Sequence, residues 1–183
     1  MRPDARLSSR PNRCYLPIHM LILDRITTLY SAEEDRLSIS ATIKDGGTAR
    51  IWLTQRITNR LIPPLLKLVG PKKDDPLYSE VIAEIAQQKA VERQEVVAPV
   101  RVQEVQHEWL VHKIDLSLAS SGAALKLWNL DGQGADVNLH GELLRQWLDI
   151  VRRLYIKAGW TGVDWPDWMK AAETPRKKSQ ILH

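Results

Sequence analysis

Alternating apolar and polar positions in the first third of the chain predict three β-strands. Residues 21–30 are rich in Leu, Ile and Thr, residues 36–44 alternate strictly, and residues 48–53 alternate again after an Asp-Gly-Gly turn. A period of two places every second side chain on one face of a strand, and the two glycines supply the positive φ angles of a tight hairpin. The pattern therefore predicts three consecutive strands, the last two joined by a tight turn.

An amphipathic helix is predicted directly after these strands. Thr54 can accept a backbone N–H bond as an N-cap, and apolar residues then recur at the spacing of one helix face: Ile57, Leu61, Leu65 and Leu68. Pro63 and Pro64 interrupt this run, and residues without a backbone N–H are unfavourable in a helix interior. We therefore expect two helical segments, 54–62 and 64–69, that meet at an angle.

The same order of elements recurs later in the chain. Residues 109–119 alternate, and residues 123–130 and 135–139 flank a Gly-rich turn. The predicted inner face of the first of these strands is Leu110, His112, Ile114, Leu116 and Leu118. A helix over 141–157 then ends at Gly159, a candidate left-handed cap, and its apolar stripe is Leu144, Trp147, Leu148, Val151, Leu154 and Tyr155.

An offset of 86 residues aligns the two stretches. It sets Asp45 on Asp131, Gly46 on Gly132 and Ala49 on Ala135, and it superposes the two helices. Each unit exposes one apolar sheet face that a single helix only partly covers, so we expect the two faces to share a core. The sequence predicts an α+β fold: two repeated antiparallel β-β-β-α units, 20–70 and 108–159, packed into one domain over 20–173.

The segment between the halves, 71–107, is predicted to be a crossover. Asp75 and Pro76 resemble an N-cap followed by a first-turn proline, and a helix to about residue 93 carries a narrow apolar stripe: Tyr78, Val81, Ile82 and Ile85. Residues 94–106 are predicted to be extended. A helix this polar could also serve as a docking element.

The basic excess of the chain lies at its two ends. The formal net charge is +4, but residues 1–20 carry +3 and residues 174–183 carry another +3, which leaves −2 for the remaining positions. Because Pro-, Ser- and Arg-rich ends cannot bury a core, we expect a flexible basic leader over 1–19 and a basic tail over 174–183. The total charge is therefore weak evidence for nucleic-acid binding by the body.

The cysteine count and the hydropathy of the chain indicate its cellular compartment. Cys14 is the single cysteine of the chain, which excludes a disulfide framework, and no apolar run approaches the ~18 residues of a membrane span. We expect a cytoplasmic protein that does not bind membranes.

Catalytic, cofactor and metal motifs are not recognisable in this sequence. His107 and His112 are five residues apart, one too many for a shared helix face, and the local pattern is that of a strand. His107 is expected to be exposed and His112 to be partly buried. His140 and Glu142 could form a base and its orienting carboxylate, but no nucleophile is identifiable beside them. We predict a non-enzymatic protein without cofactor or metal.

A Trp-rich segment near the C-terminus is the candidate contact surface. It contains Trp160, Trp165, Trp168 and Met169. Such a segment either packs on the second helix as a latch or exposes aromatic anchors to a partner. The predicted function is protein–protein interaction or assembly, including self-association.

Nucleic-acid binding is the alternative function, and an enzyme with a pocket between the two halves is the third. The candidate residues are Arg56 and Arg60 on the first helix and Arg152 and Arg153 on the second, acting with the basic tails.

Overall fold

The computed structural model describes residues 20–72, 76–95, 97–102 and 105–170. The leader and tail predicted at 1–19 and 174–183 lie outside the described residues. The elements in the described part are β1 (Met20–Ser31), β2 (Arg36–Ile43), β3 (Thr48–Leu53), α1 (Gln55–Val69), α2 (Pro76–Glu92), β4 (His107–Leu110), β5 (Lys113–Ala119), β6 (Gly122–Trp128), β7 (Gly134–His140), α3 (Gly141–Ala158) and α4 (Asp167–Lys170). The prediction of a mixed α+β protein is confirmed.

The seven strands form one curled, mixed sheet in the order β4-β3-β2-β1-β7-β6-β5. Neighbours within the β1-β2-β3 and β5-β6-β7 groups are antiparallel, whereas the β1–β7 and β3–β4 pairs are parallel. Only Val111 and His112 separate β4 from β5, although these strands stand at opposite ends of the order. The Val111 N–H donates to Trp52 O at 2.9 Å, and the His112 N–H donates to Trp128 O at 2.8 Å. At this point the chain stops pairing with β3 and begins pairing with β6, and it thereby links the two ends of the curled sheet.

One hydrophobic core joins the sheet to the helices. Alternate residues of the central strands point inward and meet the apolar stripes of α1 and α3, as predicted from the periods of two and about four. The strand residues include Leu37, Ile39, Ile51, Leu53, Leu125, Val137 and Leu139, and the helix residues include Leu61, Ile62, Leu65, Leu144, Leu148 and Val151.

Helix α1 is continuous through Pro63 and Pro64, so the predicted division into two helical segments is wrong. The Thr54 hydroxyl accepts from the Ile57 N–H at 3.3 Å and caps the helix as expected. A proline inside a helix costs about 3 kcal/mol or more. Burial on both sides of the prolines offsets this cost, since each fully buried Leu or Ile contributes about 1.5–3 kcal/mol. The buried residues are Thr58, Leu61, Ile62, Leu65 and Leu66.

The strand predicted over 109–119 is divided into β4 and β5, and its inner face differs from the prediction. Trp109 and Val111 are buried, while Leu110, His112 and Leu118 are exposed. The alternation shifts its phase where the chain changes partner from β3 to β6. The prediction of a partly buried His112 is therefore wrong, and His107, expected to be exposed, is half-buried.

Helix α2 turns its apolar stripe away from the core. Val81, Ile82 and Ile85 are 54%, 47% and 43% exposed, and the side chain of Tyr78 lies outside the described residues. The residues buried against the rest of the protein are Ala83, Gln87 and Ala90.

Hydrogen bonds between helices explain this orientation of α2. The Gln87 amide donates to Arg145 O at 3.0 Å, and the Gln146 amide donates to Ala90 O at 2.9 Å. Small alanine side chains allow the two backbones to approach closely enough for these contacts. Polar bonding to α3 therefore selects the face that hydrophobicity alone would expose.

Helix α3 ends as predicted. Gly159 has φ 65°, a left-handed conformation that favours glycine, and the Trp160 N–H donates to Tyr155 O at 3.0 Å. This cap turns the chain toward the Trp-rich segment. No helix within the described ranges is both long enough and apolar enough to cross a membrane.

Candidate binding groove

A groove opens where β1 and β7 separate. The two strands pair in parallel only at Met20–Ile22 and Gly134–Asp136. Beyond this point β1 continues beside β2, and among the described residues no backbone hydrogen bond joins Asp24–Leu29 to Val137–Leu139. Both strands therefore present backbone edges to the groove that are not bonded to each other.

The groove has a volume of about 800 Å³ and four walls. Residues 23–29 of β1 and 137–139 of β7 form two of them, and the segment that follows α2, residues 93–95 and 97–99, forms the third. The fourth wall is the outer side of α3: Leu143, Gln146, Trp147, Ile150, Arg153 and Leu154. A volume of this size is within the range of protein ligand sites.

Large apolar side chains are unusually exposed in this groove. Leu29, Val97 and Leu143 are 52%, 57% and 57% exposed and come from three different walls. Ile150 and Leu154 are half-buried beside them. An apolar surface gathered in one concavity typically marks a site for a protein or ligand, whereas single exposed apolar residues do not.

A buried hydrogen bond fixes one side of the groove. The Trp147 indole N–H donates to the Thr28 hydroxyl at 3.1 Å, and both residues are almost fully buried. Since Thr28 belongs to β1 and Trp147 to α3, this bond holds two walls in a fixed relation. This side of the groove is therefore built on elements of regular secondary structure.

Three arginines from three walls meet at the segment of residues 93–95 and 97–99. Arg25 donates to Ala98 O at 3.0 Å, and Arg93 forms an ion pair with Glu142 at 3.2 Å. Arg153 donates to the Gln94 side-chain oxygen at 3.3 Å and lies 2.9 Å from a carboxylate oxygen of Asp149. The side chains of Arg93 and Arg153 remain 68% and 53% exposed.

Asp149 also binds a second arginine inside the protein. Arg152 lies 3.3 Å from Asp149, and their side chains are only 3% and 4% exposed. The Asp149 carboxylate is thus balanced by two guanidinium groups, and the trio carries a net positive charge. The charged residues that line the groove are Asp24, Arg25, Arg93, Glu95 and Arg153, and their formal charges sum to +1.

The structure places the predicted nucleic-acid residues on different surfaces. Arg56 and Arg60 are exposed on α1, whereas Arg152 is buried against Asp149 and Arg153 lines the groove. Arg152 therefore cannot reach a phosphate without leaving the core.

The predicted contact residues of the Trp-rich segment are mostly internal. Trp168 and Met169 are 4% and 0% exposed, so they cannot act as anchors for a partner while the segment stays packed. Trp160 and Trp165 are half-buried and make edge-to-face contacts with the Tyr155 ring at centroid distances of 5.3 and 5.5 Å. This packing is that of the latch, the other interpretation of the segment.

Polar contacts hold the latch in place. Trp160 and Tyr30 both donate to the same Asp35 carboxylate oxygen, at 2.8 and 2.9 Å. Arg145 donates to Val69 O at 2.7 Å and lies 6.0 Å from the Trp168 ring centre, and its burial lowers the pKa of its guanidinium. Burial also raises the pKa of the Tyr155 hydroxyl, which donates to Asn59 Oδ1 at 2.8 Å.

The sequence leaves open a pocket between the two halves but does not locate this groove. One signal could have indicated it: α3 has more apolar positions than its core stripe needs. Leu143 and Ile150 lie beside that stripe at a spacing of seven residues, and with Leu154 they form a second apolar face.

Metal ligands do not converge in the described part of the chain, where no group of three His, Cys, Asp or Glu side chains is placed to hold an ion. His140 and Glu142 lie at the start of α3, where His140 precedes the helix without a side-chain capping bond.

No protein-family model, curated protein or solved structure matches this chain.

Proposed function

We propose that the protein is a non-enzymatic interaction module whose groove binds a segment of a partner protein. The observation that carries the proposal is the exposure of Leu29, Val97 and Leu143 on three walls of one groove. Covering such side chains releases ordered water and contributes about 25 cal/mol per Å² of apolar surface. A peptide segment is long enough to contact all three residues at once.

The geometry favours this function over nucleic-acid binding. Arg152 is occupied by Asp149 inside the protein, and the two arginines of α1 lie away from the groove-lining residues. Arg93 and Arg153 suit isolated carboxylates better than a phosphate backbone, because the apolar walls beside them would leave much of such a backbone desolvated.

A displayed library of random twelve-residue peptides tests the proposal. Peptides are selected for binding to the wild-type protein, and their affinity for the Leu143→Glu variant is then measured. This substitution places a charge in the apolar wall. Ile156→Glu is the matched control, since Ile156 lies on the same helix, is 63% exposed and does not line the groove. Both variants should fold, because substitutions at exposed sites usually change stability by less than about 0.5 kcal/mol.

Peptides bound in the groove should lose at least about tenfold in affinity on Leu143→Glu, as expected for a charge buried in an apolar contact. They should bind Ile156→Glu as they bind wild type. A library that yields no binder, or binders affected equally by the two variants, would refute the proposed function.

We also infer that the two halves of the protein are copies of one β-β-β-α unit. The register of the sheet supports this inference. In the first half Ala49 pairs with Ala41 and with His107, while in the second half Ala135 pairs with Leu127 and with Leu21. Ala41 and Leu127 are 86 residues apart, and so are Leu21 and His107, so each half takes its parallel partner from the equivalent strand position of the other half.

The helices support the same relation. Each buried residue of α1 has a buried counterpart 86 positions later in α3, namely Leu144, Trp147, Leu148, Val151 and Arg152. In an experimental structure, residues 36–69 should superpose on residues 122–155 without an insertion or deletion, and a gap inside that range would contradict the duplication.

A further inference from the structure

We propose that the groove binds its partner as an extended strand along β1, and that the strand carries carboxylate side chains. This inference rests on the proposed function and specifies the conformation and charge of the ligand. The partner is a protein segment of about seven residues, which matches residues 23–29 of β1 and a length of about 20 Å at the rise of a β-strand.

The backbone of β1 is the first argument for an extended ligand. β1 pairs with β2 at Leu23 and again from Ile26 to Ser31, with an irregularity at Asp24 and Arg25 between them, and β7 has moved away on the other side. Backbone N–H and C=O groups at such an edge need hydrogen-bond partners, which an added strand supplies and a helix, with its backbone bonds already made internally, does not.

The segment after α2 leaves this edge available. It contacts β1 through side chains: Arg25 donates to Ala98 O at 3.0 Å, and the Val100 N–H donates to the Thr27 hydroxyl at 2.9 Å. Arg25 and Thr27 lie on the same face of the strand, at positions i and i+2. The described segment thus lies against one face of β1 and forms no backbone ladder with its edge.

The apolar wall provides the side-chain specificity. A strand along β1 directs every second side chain toward α3, where Leu143, Ile150 and Leu154 are accessible. The intervening side chains point toward residues 93–95 and 97–99. Alternating apolar and polar side chains in the ligand match these two surroundings.

Charge complementarity selects carboxylates for the polar positions. Arg93 and Arg153 stand on the rim with more than half of each side chain in solvent, although each already contacts one carboxylate. Guanidinium groups have five N–H donors and can donate to a second carboxylate. A lysine-bearing strand would instead bring like charge to Arg25, Arg93 and Arg153, which outnumber the two acidic lining residues, Asp24 and Glu95.

Two capped eight-residue peptides test this inference, one of alternating Val and Glu and one of alternating Val and Lys. NMR titration of the full chain should give binding of the Val–Glu peptide at least about tenfold tighter than that of the Val–Lys peptide. Hydrogen exchange of the β1 amides between residues 24 and 30 should slow when the Val–Glu peptide is bound.

Arginine variants examine the charge separately. Arg93→Gln should weaken the Val–Glu peptide about two- to fivefold, as for an exposed ion pair, and Arg153→Gln should do the same. Arg60→Gln is the matched control, because Arg60 is exposed on α1 and does not line the groove. Arg153 also balances Asp149, so Arg93→Gln decides the outcome if Arg153→Gln is unstable.

Equal binding of the two peptides, no binding of either, or binding without slower exchange in β1 would overturn the inference. The proposed function would survive these results if library peptides still depended on Leu143. It would fail together with the inference only if no peptide of any sequence bound in the groove.

Discussion

The hydrogen bond between Trp147 and Thr28 offers a quantitative test of how the groove is held together. Trp147→Phe removes the indole N–H that donates to the Thr28 hydroxyl at 3.1 Å in a site where both residues are almost fully buried. The lost hydrogen bond costs about 1 kcal/mol, and the smaller ring forfeits packing worth about 1 kcal/mol more. We expect the free energy of unfolding to fall by about 2 kcal/mol.

A double-mutant cycle separates the hydrogen bond from the packing. Thr28→Val keeps the shape of the side chain but leaves the indole N–H buried without an acceptor, which costs about 1–3 kcal/mol. Because the double variant has neither polar group, its loss should be smaller than the sum of the two single losses by about 1 kcal/mol. Urea unfolding followed by circular dichroism measures all four proteins.

A matched cycle supplies the control. Trp128 in β6 donates its indole N–H to Asp115 at 2.7 Å, two strands away from β1. Trp128→Phe combined with Thr28→Val should therefore be additive within about 0.5 kcal/mol. If the Trp147–Thr28 cycle is also additive, the bond does not couple α3 to β1, and the account of a rigid groove is wrong.

Two further substitutions probe the latch. In thermal unfolding, Gly162→Ala should destabilise the protein more than Gly132→Ala does. Both glycines have positive φ, 97° and 82°. A Cβ at Gly162 would collide with the Asn59 amide, whereas a Cβ at Gly132 would face open space. Equal losses would show that the contact between Asn59 and the latch is not tight. Arg145→Met should cost about 2 kcal/mol in urea unfolding, because Val69 O loses a buried donor and Trp168 loses a cation above its ring, while Arg60→Met should be close to neutral. A neutral Arg145→Met would contradict the role assigned to this side chain.

Local patterns predict elements well where the chain's own neighbours provide the bonds. The strand from Arg36 to Ile43, the Thr54 cap and the left-handed Gly159 each depend on residues close in sequence, and each is present in the structure. Helix α1 shows the limit of such reasoning. Pro63 and Pro64 break the local rule for a helix, and burial of the stripe around Ile62 overrides it.

The orientation of α2 shows a second limit. Hydrophobicity singles out Val81, Ile82 and Ile85, yet these side chains face solvent. The face that packs is chosen by Gln87 and its contact with α3, a residue pair 58 positions apart. No periodicity within α2 carries information about a partner at that distance.

The sequence by itself determined the type and order of the local elements, because helix and strand periods, caps and tight turns depend on interactions within a few residues. Tertiary structure alone decided that β1 separates from β7 after Ile22 and that β4 and β5 divide at Val111. It also decided that Leu143 and Ile150 of α3 line the groove. These outcomes depend on hydrogen bonds and packing between separate segments, such as the bonds of Val111 to Trp52 and of Trp147 to Thr28. The proposed groove exists because two parallel strands separate, and a single strand's pattern does not specify where its neighbour ends.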